Sequence, residues 1–188
     1  MKTKQHGFTM IELIVVIVIL GILAAVALPR FTNIQRDARV AKLNAARGAV
    51  QAAAAMVHGA SLVRAGQGAI TIGGCTATTT AVGGGQICTE SGAVNVVNHY
   101  PTANVLGIVN ASGLISTFFT AGGIAAANTA LMPEGYSLAG GAAAIGSTLT
   151  VRVNGGTDVT QCSFTYSPST GGVAGSGPTI SAVINTGC

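Results

Sequence analysis

The chain has 188 residues, of which 49% are hydrophobic and only 7% are charged. Nine Lys and Arg residues against five acids give a formal net charge of +4 at pH 7. This composition is too apolar for an intrinsically disordered protein. So few charges cause little repulsion between copies, which suits a protein that packs against itself. No tandem repeat is evident, and we expect one domain with an N-terminal anchor.

The N-terminal segment is the most distinctive part of the chain. Lys2 and Lys4 precede an apolar run from Phe8 to Leu28. As a helix this run would be about 31 Å long, enough to cross the core of a bilayer. The basic head favours a cytoplasmic start, with the bulk of the chain across the membrane. Glu12 is the exception in this run, because placing a carboxylate without a partner near the interior of a bilayer costs several kcal/mol.

An ordinary signal peptide is the alternative for this segment. It would have a basic head, an apolar centre and a cut at a patch such as Ala24-Ala25-Val26-Ala27. However, a signal peptide has no use for an acid at the start of its apolar region. The pattern also continues past Pro29 into a long amphipathic helix, which a removed peptide would not need.

The run Gly7-Phe8-Thr9-Met10-Ile11-Glu12-Leu13, with Gly21 and Pro29 further along, resembles the N-terminal signature of type IV prepilins. The resemblance implies that an aspartyl prepilin peptidase cuts after Gly7 and methylates the new amino terminus on Phe8. It also implies an inner-membrane assembly machinery and a helical homopolymer with the apolar helices in its centre.

Glu12 has a specific place in that scheme. After the cut, Phe8 carries a cationic amino group at the end of an apolar rod, one helical turn from Glu12. The pair could form within one chain, or between one subunit's Phe8 and the Glu12 of a neighbour. Since a lone buried carboxylate is very costly and a paired one sets register, we expect Glu12 to specify where the next subunit docks.

The second part of the helix carries another apolar stripe. The residues that recur at spacings of three and four are Phe31, Ile34, Ala38, Ala41, Ala45, Gly48, Ala52 and Met56. We expect the helix to extend from Phe8 to about His58, with a weak point at Gly21 and Pro29. The predicted divisions are 1–7 (leader), 8–28 (membrane and filament-core helix), 29–58 (amphipathic helix) and 59–188 (head). The family resemblance implies that the Pro29 region unwinds in an assembled filament.

A basic patch lies on this second part of the helix, formed by Arg30, Arg36, Arg39, Lys42 and Arg47. Such a patch attracts phosphate, and it could also attract anionic lipid before assembly. No aromatic residues interleave with these cations, and Asp37 lies among them. We therefore predict a solvated or intersubunit face and argue against nucleic-acid binding.

The remainder of the chain predicts a β-rich head. Strands are expected at 69–72, 93–97, 136–139, 148–153, 162–166 and 179–184. Residues 73–92 are expected to form a loop, and 102–118 one or two short helices with Pro101 in a first turn. The predicted fold is α+β, with an antiparallel sheet of about four strands on the C-terminal half of the helix. The resemblance identifies this arrangement as the pilin fold.

Four cysteines lie beyond the membrane segment, where disulfides are expected. Three pairings are possible, and we favour Cys75–Cys88 and Cys162–Cys188 because each closes one local loop. Closures of this length stabilise a fold by roughly 3 kcal/mol each. A zinc site is disfavoured, since no CxxC spacing occurs and His58 and His99 are distant from every cysteine in sequence.

No enzyme, cofactor site or metal site is predicted, because the histidines are isolated and the acids of the head are scattered. The favoured function is the major subunit of an extracellular type IV pilus that supports adhesion, surface attachment or motility. Details at 36–39 and around Tyr100 resemble the mannose-sensitive haemagglutinin group. The alternative is a pseudopilin of a type II secretion system. The precursor is expected in the inner membrane of a Gram-negative bacterium.

Overall fold

Helix α1 (Met10–Arg64) begins the described part of the fold. The computed structural model describes residues 7–64, 69–72, 75–78, 84–168 and 177–188. The chain divides into two compact units, Met1–Ala38 and Arg39–Cys188, and the division lies within α1. The helix continues six residues beyond the predicted His58. Pro29 lacks an N–H and costs one hydrogen bond, yet the helix is continuous through it.

In the first unit, the described side chains of α1 are exposed. Leu13, Ile22 and Phe31 each have more than half of their surface exposed. Among the described residues, α1 is the single helix that is long and apolar enough to cross a membrane, judged by length and composition. An apolar surface of this size marks a membrane or protein contact rather than a solvated face.

The described residues of the second unit form three antiparallel sheets. The first pairs β1 (Ile70–Ile72) with β2 (Cys75–Ala77), and the second has the order β3–β4–β5, formed by Gly85–Thr89, Gly92–Val97 and Tyr100–Pro101. The third has the order β6–β7–β8–β9, formed by Tyr136–Gly140, Leu149–Val153, Ser163–Ser167 and Thr179–Ile180. The predicted four-stranded antiparallel sheet is therefore present, and the α+β class is confirmed.

Two local predictions for the head were wrong, and one helix was not predicted. Residues 73–92, expected to be a loop, include β2 and β3, because β3 forms a full ladder with β4 from Gly85↔Val96 to Thr89↔Gly92. Pro101 lies in β5 rather than in a first helical turn. The helices that follow are a π-helix at Val105–Val109, α2 (Asn110–Ser112) and α3 (Ile124–Leu131), and α3 was not predicted.

The core of the second unit is built on one face of α1. The buried residues of that face are Leu43, Ala46, Val50, Ala53, Ala54, Val57 and Ser61. Most of them pack with residues of β6, β7 and β8 such as Leu138, Val151 and Phe164, while Val57 packs with Ile87, Val94 and Val96 of β3 and β4. The predicted stripe from Phe31 to Met56 lies on the exposed side of α1 instead.

Three cations of the predicted basic patch bind the head from α1. The side chain of Arg39 donates to the Cys188 oxygen at 3.0 Å, and Arg47 Nε donates to the Ser181 carbonyl at 2.9 Å. Lys42 donates to the carbonyl of Glu134 and lies over the Tyr136 ring, 4.5 Å from its centroid. Hydrogen bonds to charged donors are stronger than neutral ones, so these side chains attach α1 to the C-terminal part of the head.

The cysteines form two disulfides in the pairings that the sequence favours. Cys75 is bonded to Cys88 across 13 residues, and Cys162 to Cys188 across 26 residues. The first links β2 to β3, and the second holds Cys188 beside the end of β7 and β8, where Cys162 is fully buried. Each bridge restricts the unfolded chain by closing a loop.

Leu43→Ala and Met56→Ala should separate the two faces of α1. Leu43 is fully buried, whereas Met56 is 66% exposed. Removal of Leu43 leaves a cavity and should lower the free energy of unfolding by about 3 kcal/mol, while Met56→Ala should change it by less than about 1 kcal/mol. Denaturant unfolding of the full chain in detergent micelles measures both. Equal losses would contradict the assignment of the core face.

Candidate processing and assembly site

The first turn of α1 is closed by a reciprocal set of hydrogen bonds between Thr9 and Glu12. The backbone N–H and the hydroxyl of Thr9 both donate to Glu12 Oε2, at 2.9 and 2.7 Å. The backbone N–H of Glu12 donates to Thr9 Oγ1 at 3.3 Å. The Thr9 carbonyl accepts from the Leu13 N–H. Thr9 is therefore the N-cap, and with Glu12 it forms a capping box.

This capping box gives Glu12 a function within its own helix. The carboxylate satisfies donors that the first turn leaves without intrahelical partners, and its negative charge is favourable at a helix N-terminus. Sequence reasoning missed Thr9 as a partner of Glu12. The signal was available, since Thr9-Met10-Ile11-Glu12 has the spacing of a capping box immediately before an apolar run.

Glu12 lies in an apolar groove on the surface of the helix. The groove has a volume of about 410 Å³ and is lined by Phe8, Ile11, Val15 and Val16 together with Glu12. Phe8 is 84% exposed and Ile11 is 70% exposed. A carboxylate is thus surrounded by exposed apolar side chains, a combination that is unfavourable in bilayer or protein unless a cation or donor arrives.

The predicted cleavage site lies directly before this turn. Gly7 and Phe8 are exposed and precede the helix, and, its two chain neighbours apart, no described residue lies within 4 Å of a Cβ built on Gly7. The peptide bond between them is therefore sterically accessible. Residues 1–6 of the predicted leader lie outside the described residues. Phe8, Thr9 and Glu12 come together at one end of α1, whereas Pro29 lies far along the helix from them.

The histidines were predicted to be isolated, which was wrong for two of them. The His58 and His99 ring centroids lie 6.5 Å apart, and the His58 ring stacks on Tyr100 at 4.1 Å. Ser61 Oγ lies 2.7 Å from His99 Nδ1. Ser61 and His99 are buried, so the group holds the end of α1 against the β4–β5 turn. In the ranges that the structure describes, no three His, Cys, Asp or Glu side chains cluster as metal ligands.

Comparison with known proteins identifies the N-terminal segment. A family model described as the prokaryotic N-terminal methylation motif matches residues 2–28. This segment is similar to the N-terminal segments of type IV pilins. It is 50% identical over 53 residues to the type IV narrow pilus major component PilA5 of Thermus thermophilus, covering 28% of this chain and 46% of that protein.

Two other relatives are also pilins. The type IV major fimbrial protein FimA of Dichelobacter nodosus is 42% identical over 53 residues, covering 28% of this chain and 34% of FimA. The type IV major pilin protein PilE1 of Neisseria gonorrhoeae is 55% identical over 42 residues, covering 22% of this chain and 26% of PilE1. The match thus spans less than half the length of each of these pilins. No solved structure matches the chain significantly.

Thr9→Val should loosen the first turn of α1, because valine has no hydroxyl to cap it. A lost cap costs about 1 kcal/mol, so the amide protons of Glu12 and Leu13 should exchange about five times faster. Hydrogen exchange of the full chain in micelles, followed by NMR, measures this. Thr9→Ser keeps the hydroxyl and is the matched control. Unchanged exchange in Thr9→Val would contradict the capping box.

Proposed function

We propose that this chain is the major structural subunit of an extracellular type IV pilus. In this proposal prepilin peptidase cuts after Gly7 and methylates Phe8, and the inner-membrane machinery assembles the product into a helical homopolymer. The observation that carries the proposal is the methylation motif at 2–28 at the start of a helix whose apolar side chains are all exposed over its first turns.

The exposed apolar surface supports assembly from the membrane. Side chains between Phe8 and Leu28 would be covered by lipid before assembly and by the same helix of other copies afterwards. Exchanging one apolar environment for another costs little hydrophobic free energy. Specific pairing must therefore come from packing and from the few polar groups in the run.

Glu12 is the polar group that would set the register between subunits. In the single chain, both bonds from Thr9 go to the same oxygen, Oε2. Among the described residues, Oε1 has no hydrogen-bond partner. A carboxylate can accept bonds on both oxygens, so the freed amino group of a neighbour's Phe8 can bind Oε1 while the helix cap stays intact.

The relatives favour a pilus over the alternative, a pseudopilin of a type II secretion system. Their names describe a narrow pilus component, a fimbrial protein and a major pilin. For this chain we infer the corresponding location, with the precursor in the inner membrane of a Gram-negative cell and the product in an extracellular fimbrium. Membership of the mannose-sensitive haemagglutinin group stays a prediction.

Glu12→Ala should reduce the amount of this chain in sheared surface filaments at least tenfold, because a misplaced neighbour leaves its Phe8 amino group unpaired in an apolar core. The amount of processed chain in the membrane should stay unchanged. Asp37→Ala removes an exposed acid from the same helix, outside the apolar run, and is the matched control.

The comparison of shear and membrane fractions by quantitative immunoblotting measures both variants. The chain should also dominate the shear fraction of unmodified cells, as a major subunit must. Normal filaments in Glu12→Ala cells would contradict the docking role of Glu12. A trace amount in the shear fraction of unmodified cells would contradict the assignment as the major subunit.

A further inference from the structure

An apolar groove lies on the second unit, between α1 and the turn that joins β3 to β4. Its volume is about 370 Å³, and α1 contributes Met56, Val57 and Ala60 to its lining, together with Ile87 of β3. Val57 and Ile87 are buried, whereas Met56 is 66% exposed. We call this opening the Met56 groove. It extends from the surface to the core cluster that contains Val57 and Ile87.

Glu90 is the one charged residue that lines the Met56 groove. It lies in the turn between β3 and β4 and is exposed. In the part of the chain that the structure describes, its carboxylate has no hydrogen bond or ion pair. A site with apolar walls and one acid favours a partner that carries apolar side chains next to a cation, because complementary charge determines which partner fits.

The first unit carries this combination just beyond its apolar run. Phe31 and Ile34 are 62% and 63% exposed, and residues three apart lie on the same side of a helix. Arg30 is exposed directly before Phe31, and no described acid pairs with it. Helices that bind in grooves use apolar anchors at this spacing. Segment 30–34 therefore has the chemistry that the Met56 groove favours.

A bilayer does not account for the exposed apolar side chains of segment 30–34. Arg30 and Arg36 stand on either side of Phe31 and Ile34 in the sequence, and charges are costly in the bilayer interior. Long cationic side chains instead keep their charged ends at the surface. Phe31 and Ile34 therefore lie at or beyond the membrane surface, where exposed apolar side chains indicate a protein contact.

We propose that segment 30–34 of one copy docks in the Met56 groove of another copy, with Phe31 in the groove and Arg30 paired with Glu90. This inference rests on the proposed pilus function and names a contact between subunits that the function leaves open. The two surfaces are different parts of the chain, so the contact is head-to-tail. Such a contact repeats from copy to copy and builds an open filament.

Photo-crosslinking in filaments tests the contact directly. Phe31 is replaced by p-benzoylphenylalanine, whose excited ketone attacks nearby C–H groups, and sheared filaments are irradiated. Trypsin cuts after Arg47 and Arg64, so the part of the groove contributed by α1 lies in peptide 48–64. The expected product is a two-chain dimer on a denaturing gel, in which peptide 31–36 of one chain is joined to peptide 48–64 of the other.

The same photoreactive group in place of Asn33 is the matched control. Asn33 is exposed and lies on the opposite side of the helix from Phe31 and Ile34, so its peptide should not be joined to peptide 48–64. A cross-link to 48–64 that is confined to single chains would overturn the proposal, as would dimers joined at other peptides.

A charge exchange tests the ion pair without a bulky probe. Glu90→Arg should lower the amount of chain in sheared filaments about fivefold or more, because two cations then face each other at the contact. Arg30→Glu should do the same, since it places two acids there. The double variant exchanges the two charges and should restore at least about half of the unmodified amount. Processed chain in the membrane should stay unchanged in all three.

Glu134→Arg reverses an exposed acid of the head that does not line the Met56 groove, and it should leave filaments unchanged. The proposal is overturned if Glu90→Arg or Arg30→Glu forms normal filaments, or if the double variant assembles no better than the single variants. In each of these cases the unmodified chain still assembles, so the pilus function stands. Absence of the chain from the shear fraction of unmodified cells would instead contradict the pilus function.

Discussion

The structure depends on how an apolar helix accommodates a single carboxylate near its N-terminal end. A charge among exposed apolar side chains is costly wherever those side chains are covered. Within one chain, Glu12 is partly satisfied by Thr9, whose backbone N–H and hydroxyl both donate to Glu12 Oε2. This arrangement holds the carboxylate in one orientation before any neighbour arrives. In the filament that we propose, this oriented acid sets the register, because a neighbour that docks one turn away leaves its own cation unpaired.

In the second unit, α1 packs against the rest of the head along one face only. Leu43 and Val50 enter the core, while Arg39, Lys42 and Arg47 donate to head carbonyls. The cations that the sequence presents as a surface patch thus serve largely as attachments between the helix and the head. Together with the two disulfides, which fix a loop and the C-terminal residue, these hydrogen bonds stabilise a head that has few charged residues.

The sequence predicts the elements that depend on local pattern. It misses the elements and contacts that depend on residues distant in the chain. The apolar run, Glu12 and the strands around Leu149–Val153 are evident from composition and alternation. Strand β3 was missed because it begins at the end of a glycine run, Gly83-Gly84-Gly85, and is defined by its ladder with β4. The core face of α1 was missed because alanines and apolar residues occur on both faces. Periodicity therefore indicates an apolar stripe but not whether the head packs against it. The partnership of Thr9 with Glu12 was readable from spacing alone, and the meeting of His58 with His99 was not.

The most direct test of this account is the mass of the chain in purified filaments, because every later step requires a freed cation at Phe8. Intact-mass and N-terminal peptide measurements should show the loss of residues 1–7 and one added methyl group on Phe8. A mature chain that begins after Ala27, without the apolar rod and without Glu12, would contradict the account.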